Sequence, residues 1–143
     1  MTGREVRLDL QSWIKKYEEK TGEKFTRHPN FTFVFFPDRG FCEICVQRDM
    51  VMAYQLCGDG HFWKQVIDTV GLVNGCSMGG AIAVRSIKPY IRYWGYKIYE
   101  DIALDEGAHQ YLCRNVNGSE ARISPAWKGE NGRYDAYYVT WTL

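Results

Sequence analysis

Met50-Val-Met-Ala-Tyr-Gln-Leu-Cys-Gly-Asp-Gly-His-Phe-Trp63 is the stretch whose reading decides the fold. Met50 to Tyr54 form a short apolar run of strand length. Gly58 and Gly60 interrupt it, and beyond them Phe62, Trp63, Val66, Ile67, Val70 and Val73 recur at helical spacing. That spacing predicts a helix over 61–74, closed by Asn74-Gly75. The unit is a strand, a Gln55-x-x-Gly58-x-Gly60 loop and a helix. A helix N-terminus offers unpaired backbone N–H groups and the positive end of the peptide dipoles. Glycines ahead of it let a phosphate approach those amides closely. The plainer reading is a tight strand-to-helix turn that binds nothing.

What lies upstream narrows the choice. Leu8, Leu10, Trp13, Ile14 and Tyr17 give an amphipathic helix over about 8–21, stopped by Gly22. Phe31–Phe36 reads as a strand, 37–40 as a turn, Phe41–Val46 as a second strand and Met50–Tyr54 as a third. Three strands joined by tight turns make an antiparallel meander. A dinucleotide fingerprint would follow the opening strand of a βαβ unit, and a phosphate loop of the Lys-Ser/Thr kind would show those residues. Neither pattern fits.

Downstream, Met78–Val84 reads as a small-residue strand, Ile87–Tyr93 as a short helix and Gly95–Tyr99 as the start of another strand. His109–Cys113 reads as its hairpin partner, Asn115–Gly132 as a long polar loop and Tyr134–Thr142 as the last strand. No repeat or linker divides residues 1–143. The expectation is one α/β (α+β) domain, with a single mixed, mostly antiparallel sheet flanked by helices.

The order of meander, Gln55–Gly60 loop, helix 61–74 and strand 78–85 resembles the GNAT acyltransferases. Ile91-Arg-Tyr-Trp-Gly-Tyr96 looks like a shortened form of that family's next conserved segment. The resemblance covers about residues 31–99. The chain is also similar at fold level to phage-encoded members, including the Mom-type DNA modification proteins. The resemblance implies a GNAT-like fold and an N-acetyltransferase that uses acetyl-CoA as acyl donor to an unidentified amine. It further implies a sheet that splays after Tyr54. Tyr54, Gln55, Leu56, Cys57, Gly58, Asp59, Gly60 and His61 would then meet the donor, their amides holding its pyrophosphate.

Two catalytic positions follow from the same resemblance. Glu43, mid-strand between Cys42 and Ile44, is the candidate base for the amine proton; the alternative is a solvent-facing glutamate. Tyr93 is the candidate acid for the departing thiolate in one alignment. The other alignment puts Trp94 there, and an indole cannot protonate a thiolate. Asp59, between the glycines, is read as a helix cap. Cys57 reads as a small filler, His61 as a surface residue, and Arg85, Lys88 and Arg92 as either phosphate contacts or a solvated face.

Composition bounds the rest. The net charge of +1 gives no global field toward nucleic acid or an anionic membrane. A nucleobase-modifying protein, with Trp13, Trp63, Trp94, Trp127 and Trp141 stacking bases, is therefore less favoured. Five cysteines lack secreted-scaffold spacing, and Cys42-x-x-Cys45 has no second pair to complete a zinc site. The opening Met1–Glu5 carries no apolar signal region and no stretch is long enough to span a membrane. The expectation is a reduced, cytoplasmic monomer or homodimer that holds no metal. A GNAT-fold binding protein without turnover is the alternative to the enzyme.

Overall fold

The computed structural model describes residues 7–84, 87–128, 132 and 134–143. Met1–Glu5 and Arg85, on which two of the expectations rest, lie outside the described residues.

The predicted meander forms β1 (Thr32–Phe36), β2 (Gly40–Gln47) and β3 (Met50–Gly58). Alternation along these strands sorts side chains to two faces. Phe33, Phe35, Phe41 and Cys57 pack with Trp13 and Tyr17 of α1 (Leu10–Thr21) on one face. Val34, Cys42, Ile44, Val51 and Ala53 pack with Trp63 and Ile67 of α2 (Gly60–Val73) on the other. α1 starts where the Asp9 carboxylate accepts from the Ser12 amide, and it ends on Gly22 in the left-handed region.

β4 (Met78–Val84), α3 (Lys88–Tyr93), β5 (Lys97–Ala103), β6 (His109–Arg114), β7 (Glu120–Lys128) and β8 (Tyr134–Thr142) complete the described elements. Ile87 and Ile91, on and beside α3, join the same core cluster as α2, so both helices share a face. The eight strands form one sheet in the order β1-β2-β3-β4-β8-β7-β6-β5. Every pairing is antiparallel except β3 with β4. The fold is thus α+β, a single mixed sheet with three α-helices among the described residues, as the sequence led one to expect.

Two boundaries differ. Gln55 to Gly58 belong to β3 and not to a loop, because they keep the β2 ladder through Cys42↔Leu56, Phe41↔Cys57 and Gly40↔Gly58. Within the expected loop 115–132 lies β7, whose Pro125 argues against a central strand. Irregular pairing at Pro125/Trp127 absorbs the proline, and Ala121 and Ile123 point into the core.

Candidate functional site

β3 and β4 run side by side only from Met50↔Met78 to Ala53↔Ala81. Beyond that point β3 continues to Gly58 against β2, and β4 continues to Val84 against β8. The two strands have parted, and their facing backbone edges lose their mutual ladder. The cause is local. Cys42 pairs with Leu56 and Ile44 with Ala53, so Tyr54 and Gln55 together oppose Glu43. An extra residue of this kind bends its strand and raises the twist. The splay expected after Tyr54 is present, and the bulge produces it.

The bulge also re-aims side chains. Glu43 is fully buried. Its Oε1 accepts from Gln55 Nε2 at 2.7 Å and its Oε2 from the His28 amide at 2.8 Å. Gln55 Nε2 also donates to the Thr26 carbonyl at 2.6 Å. Arg27 Nε lies 3.8 Å from Glu43 Oε2, and its own side chain is 56% exposed. A buried carboxylate is costly unless it is hydrogen-bonded and paired, and this one is both. The solvent-facing alternative for Glu43 is therefore excluded. Tyr54 meets the rings of His28 and Phe31 at 5.9 and 5.8 Å. Arg27 and His28 come from the irregular segment between α1 and β1, where no periodicity marks them, and Phe31 stands just ahead of β1, although the sequence reading put it in that strand.

At the top of the gap the loop resolves into structural tasks. Gly58 and Gly40 have φ of +113° and +100°, and the two strands cross in contact there. A Cβ on Gly58 would sit 2.0 Å from the Arg39 carbonyl oxygen. Asp59 caps α2 by accepting from the Phe62 amide at 3.1 Å, and it pairs with Arg39 at 2.6 Å. Partial burial alone would raise the Asp59 pKa, but the Phe62 and Arg39 hydrogen bonds together bring it below the ordinary carboxylate range. The Arg39 carbonyl accepts from both the Asp59 amide and Trp63 Nε1 at 2.9 Å. As N1 and N2 of the helix, Gly60 and His61 have no acceptor for their amides within α2. His61 is exposed, and Leu56 packs against the main core.

Over Gly60 lies α3. A Cβ on Gly60 would meet the Tyr90 ring at 3.2 Å, and Trp94 Nε1 donates to the Gly60 carbonyl at 3.0 Å. Lys20 of α1 donates to the Tyr90 hydroxyl, with its ammonium 4.5 Å from that ring's centre. The expected acid, Tyr93, points away and is 71% exposed. The phenol at the gap is Tyr90, which sequence spacing did not single out. Burial pushes the Cys57 thiol upward, only partly offset by Lys20 and Lys16. Together with its packing beside Trp13 and Tyr17, this fits the filler reading.

Lys64, a further residue the periodicity hides, faces inward. Its ammonium pairs with Asp68 at 2.5 Å and lies 5.0 Å from the Trp141 ring centre, while Asp68 accepts from Trp141 Nε1 at 2.8 Å. Trp13, Trp63 and Trp141 are buried, Trp94 is half-buried, and Trp127 is 47% exposed. The set does not form a base-stacking surface. Lys88 lies over the Tyr111 ring and Arg92 is exposed on α3. A groove of about 250 Å³ runs along the side of α2 at Phe62, Gln65, Val66, Thr69 and Val70, where Phe36 meets Phe62.

No protein-family model matches the chain, and no curated protein matches its sequence.

Proposed function

We propose that the chain is a GNAT-like N-acetyltransferase, with acetyl-CoA in the gap between β3 and β4. The observation that carries this reading is the parting of two parallel strands immediately before a helix N-terminus. Open strand edges supply N–H and C=O groups for the amides of an extended chain such as pantetheine. The Gly60 and His61 amides, beside Lys20, supply donors and positive charge for a pyrophosphate. Asp59 does not repel that group strongly, because its charge is already spent on the Phe62 amide and Arg39.

In the transfer, an amine lone pair attacks the thioester carbonyl, the C–S bond breaks, the thiolate takes a proton and the new amide loses one. Glu43 is enclosed, so a proton reaches it from the exposed Arg27 side or through water and not by direct contact with the amine. Tyr93 has no part in this scheme. The enclosed Glu43 and the outward Tyr93 also favour a second reading, a GNAT-fold binding protein that holds the ligand without turnover.

Titrating ¹⁵N-labelled protein with acetyl-CoA tests the location. The expected shifts fall on Tyr54–His61, on Tyr90 and on Trp94. Shifts confined to the outer α2 groove at Val66 and Val70, or none at all, contradict the proposal. Release of free thiol on adding a panel of amines separates the enzyme from the binding protein.

A further inference from the structure

α1 and α3 lie on opposite faces of the sheet, α1 with Phe41 and Cys57, α3 with Trp63 and Ile67. β3 and β4 are interior strands. Side chains from the two helices can therefore meet only where the sheet is open or past the ends of its strands. Lys20 and Tyr90 do meet, by a hydrogen bond and by the ammonium lying over the ring. Their contact lies at the end of the gap that β3 and β4 leave beyond Ala53 and Ala81, with Lys20 acting on Cys57 of β3 and Tyr90 packed on Gly60 just after it. Tyr90 is held from the other side by the first turn of α2, through the close approach of its ring to Gly60.

We propose that Lys20 is the residue that reads charge on whatever fills this gap, with Tyr90 as its alternative partner. Tyr90 offers the ammonium one neutral oxygen and a ring face. A phosphate offers charged oxygens, and charge-assisted hydrogen bonds are roughly twice as strong as neutral ones. Exchange of Tyr90 for a phosphate is thus favourable, whereas exchange for a neutral ligand only breaks a contact. The other groups facing this end of the gap are Lys16, His61 and the Arg39–Asp59 pair, and the last is already neutralised internally. The gap therefore selects phosphate-bearing acyl donors over neutral thioesters. The choice of acetyl-CoA as ligand rests on the reading given under Proposed function; the latch itself does not.

Two variants separate the roles, because Tyr90→Phe removes the hydroxyl and leaves the cation, while Lys20→Met removes the cation. Calorimetric titration with acetyl-CoA is expected to give about threefold tighter binding in Tyr90→Phe and about tenfold weaker binding in Lys20→Met. Lys20→Arg should keep wild-type affinity, and neutral S-acetylpantetheine should bind Tyr90→Phe and Lys20→Met alike, each no more weakly than wild type. Equal or same-direction changes in the two variants overturn the charge-reading role. Hydrogen exchange without ligand tests the latch on its own. Amides of Tyr54–Cys57 should exchange about threefold faster or more in both variants, and unchanged exchange overturns it. If wild type ignores acetyl-CoA, the acyl-donor reading fails, and inorganic pyrophosphate replaces it in the same titration. Binding lost in Lys20→Met then supports the proposal, and no binding overturns it.

Discussion

Asp59 performs two tasks that single substitutions separate. As cap it satisfies the Phe62 amide, and as anion it pairs with Arg39. Asp59→Ala should lower stability by about 1 kcal/mol, the usual value of a lost N-cap, read as a fall in the urea midpoint at constant slope. Asp59→Asn should retain most of it. Because the folded pKa lies below the free value of 3.8, the charge-dependent part of this stability is present above that value and fades as pH falls through the lower folded pKa. Acid titration below pH 4 should therefore separate wild type from Asp59→Asn, and the two should run parallel at neutral pH. Glu43→Gln should cost about 2 kcal/mol, since an amide nitrogen or a lost acceptor would then face Gln55 Nε2 or the His28 amide inside the fold. Asp59 was legible in the sequence, because a short acid between glycines ahead of a helix has few other uses. The surroundings of Glu43 were not, because they arise from a bulge and from the aperiodic residues Arg27 and His28.

Among the elements, α1, α2 and β8 follow from periodicity alone, to within one or two residues at the ends. β3 does not. Cys57 and Gly58 look like loop because a glycine normally weakens a strand, yet here Gly58 is what lets β3 cross β2 at Gly40. Gly58→Ala should cost at least about 3 kcal/mol or prevent folding, since both its φ and its contact with the Arg39 carbonyl oppose a side chain. Gly60→Ala needs only a small shift of the Tyr90 ring and should fold. Circular dichroism melting of the two variants checks this contrast, and equal losses would contradict it. On α2 the helical period predicts which residues face inward but not that one is a lysine. Asp68→Ala strands the buried Lys64 ammonium and the Trp141 indole, at a cost of about 3 kcal/mol. Adding Lys64→Met should recover much of that loss, and a double variant no better than Asp68→Ala would contradict the account.

At the scale of the molecule, one sheet with helices on both faces leaves its opening between β3 and β4, near the middle of the strand order. The class of fold was readable from a meander followed by a strand-helix-strand unit. The strand order β4-β8-β7-β6-β5 was not, because nothing local in Tyr134–Thr142 says that the last strand inserts beside β4. Nor was the meeting of Lys20 with Tyr90, 70 residues further along the chain, beside Trp94 at this gap. No helix among the described residues is long and apolar enough to cross a membrane. The central claim is that this gap takes an acyl-CoA, and isothermal titration of the purified protein with acetyl-CoA tests it most directly. The account predicts one site with a dissociation constant on the order of micromolar. Absence of heat at millimolar ligand, with the protein folded, would contradict it.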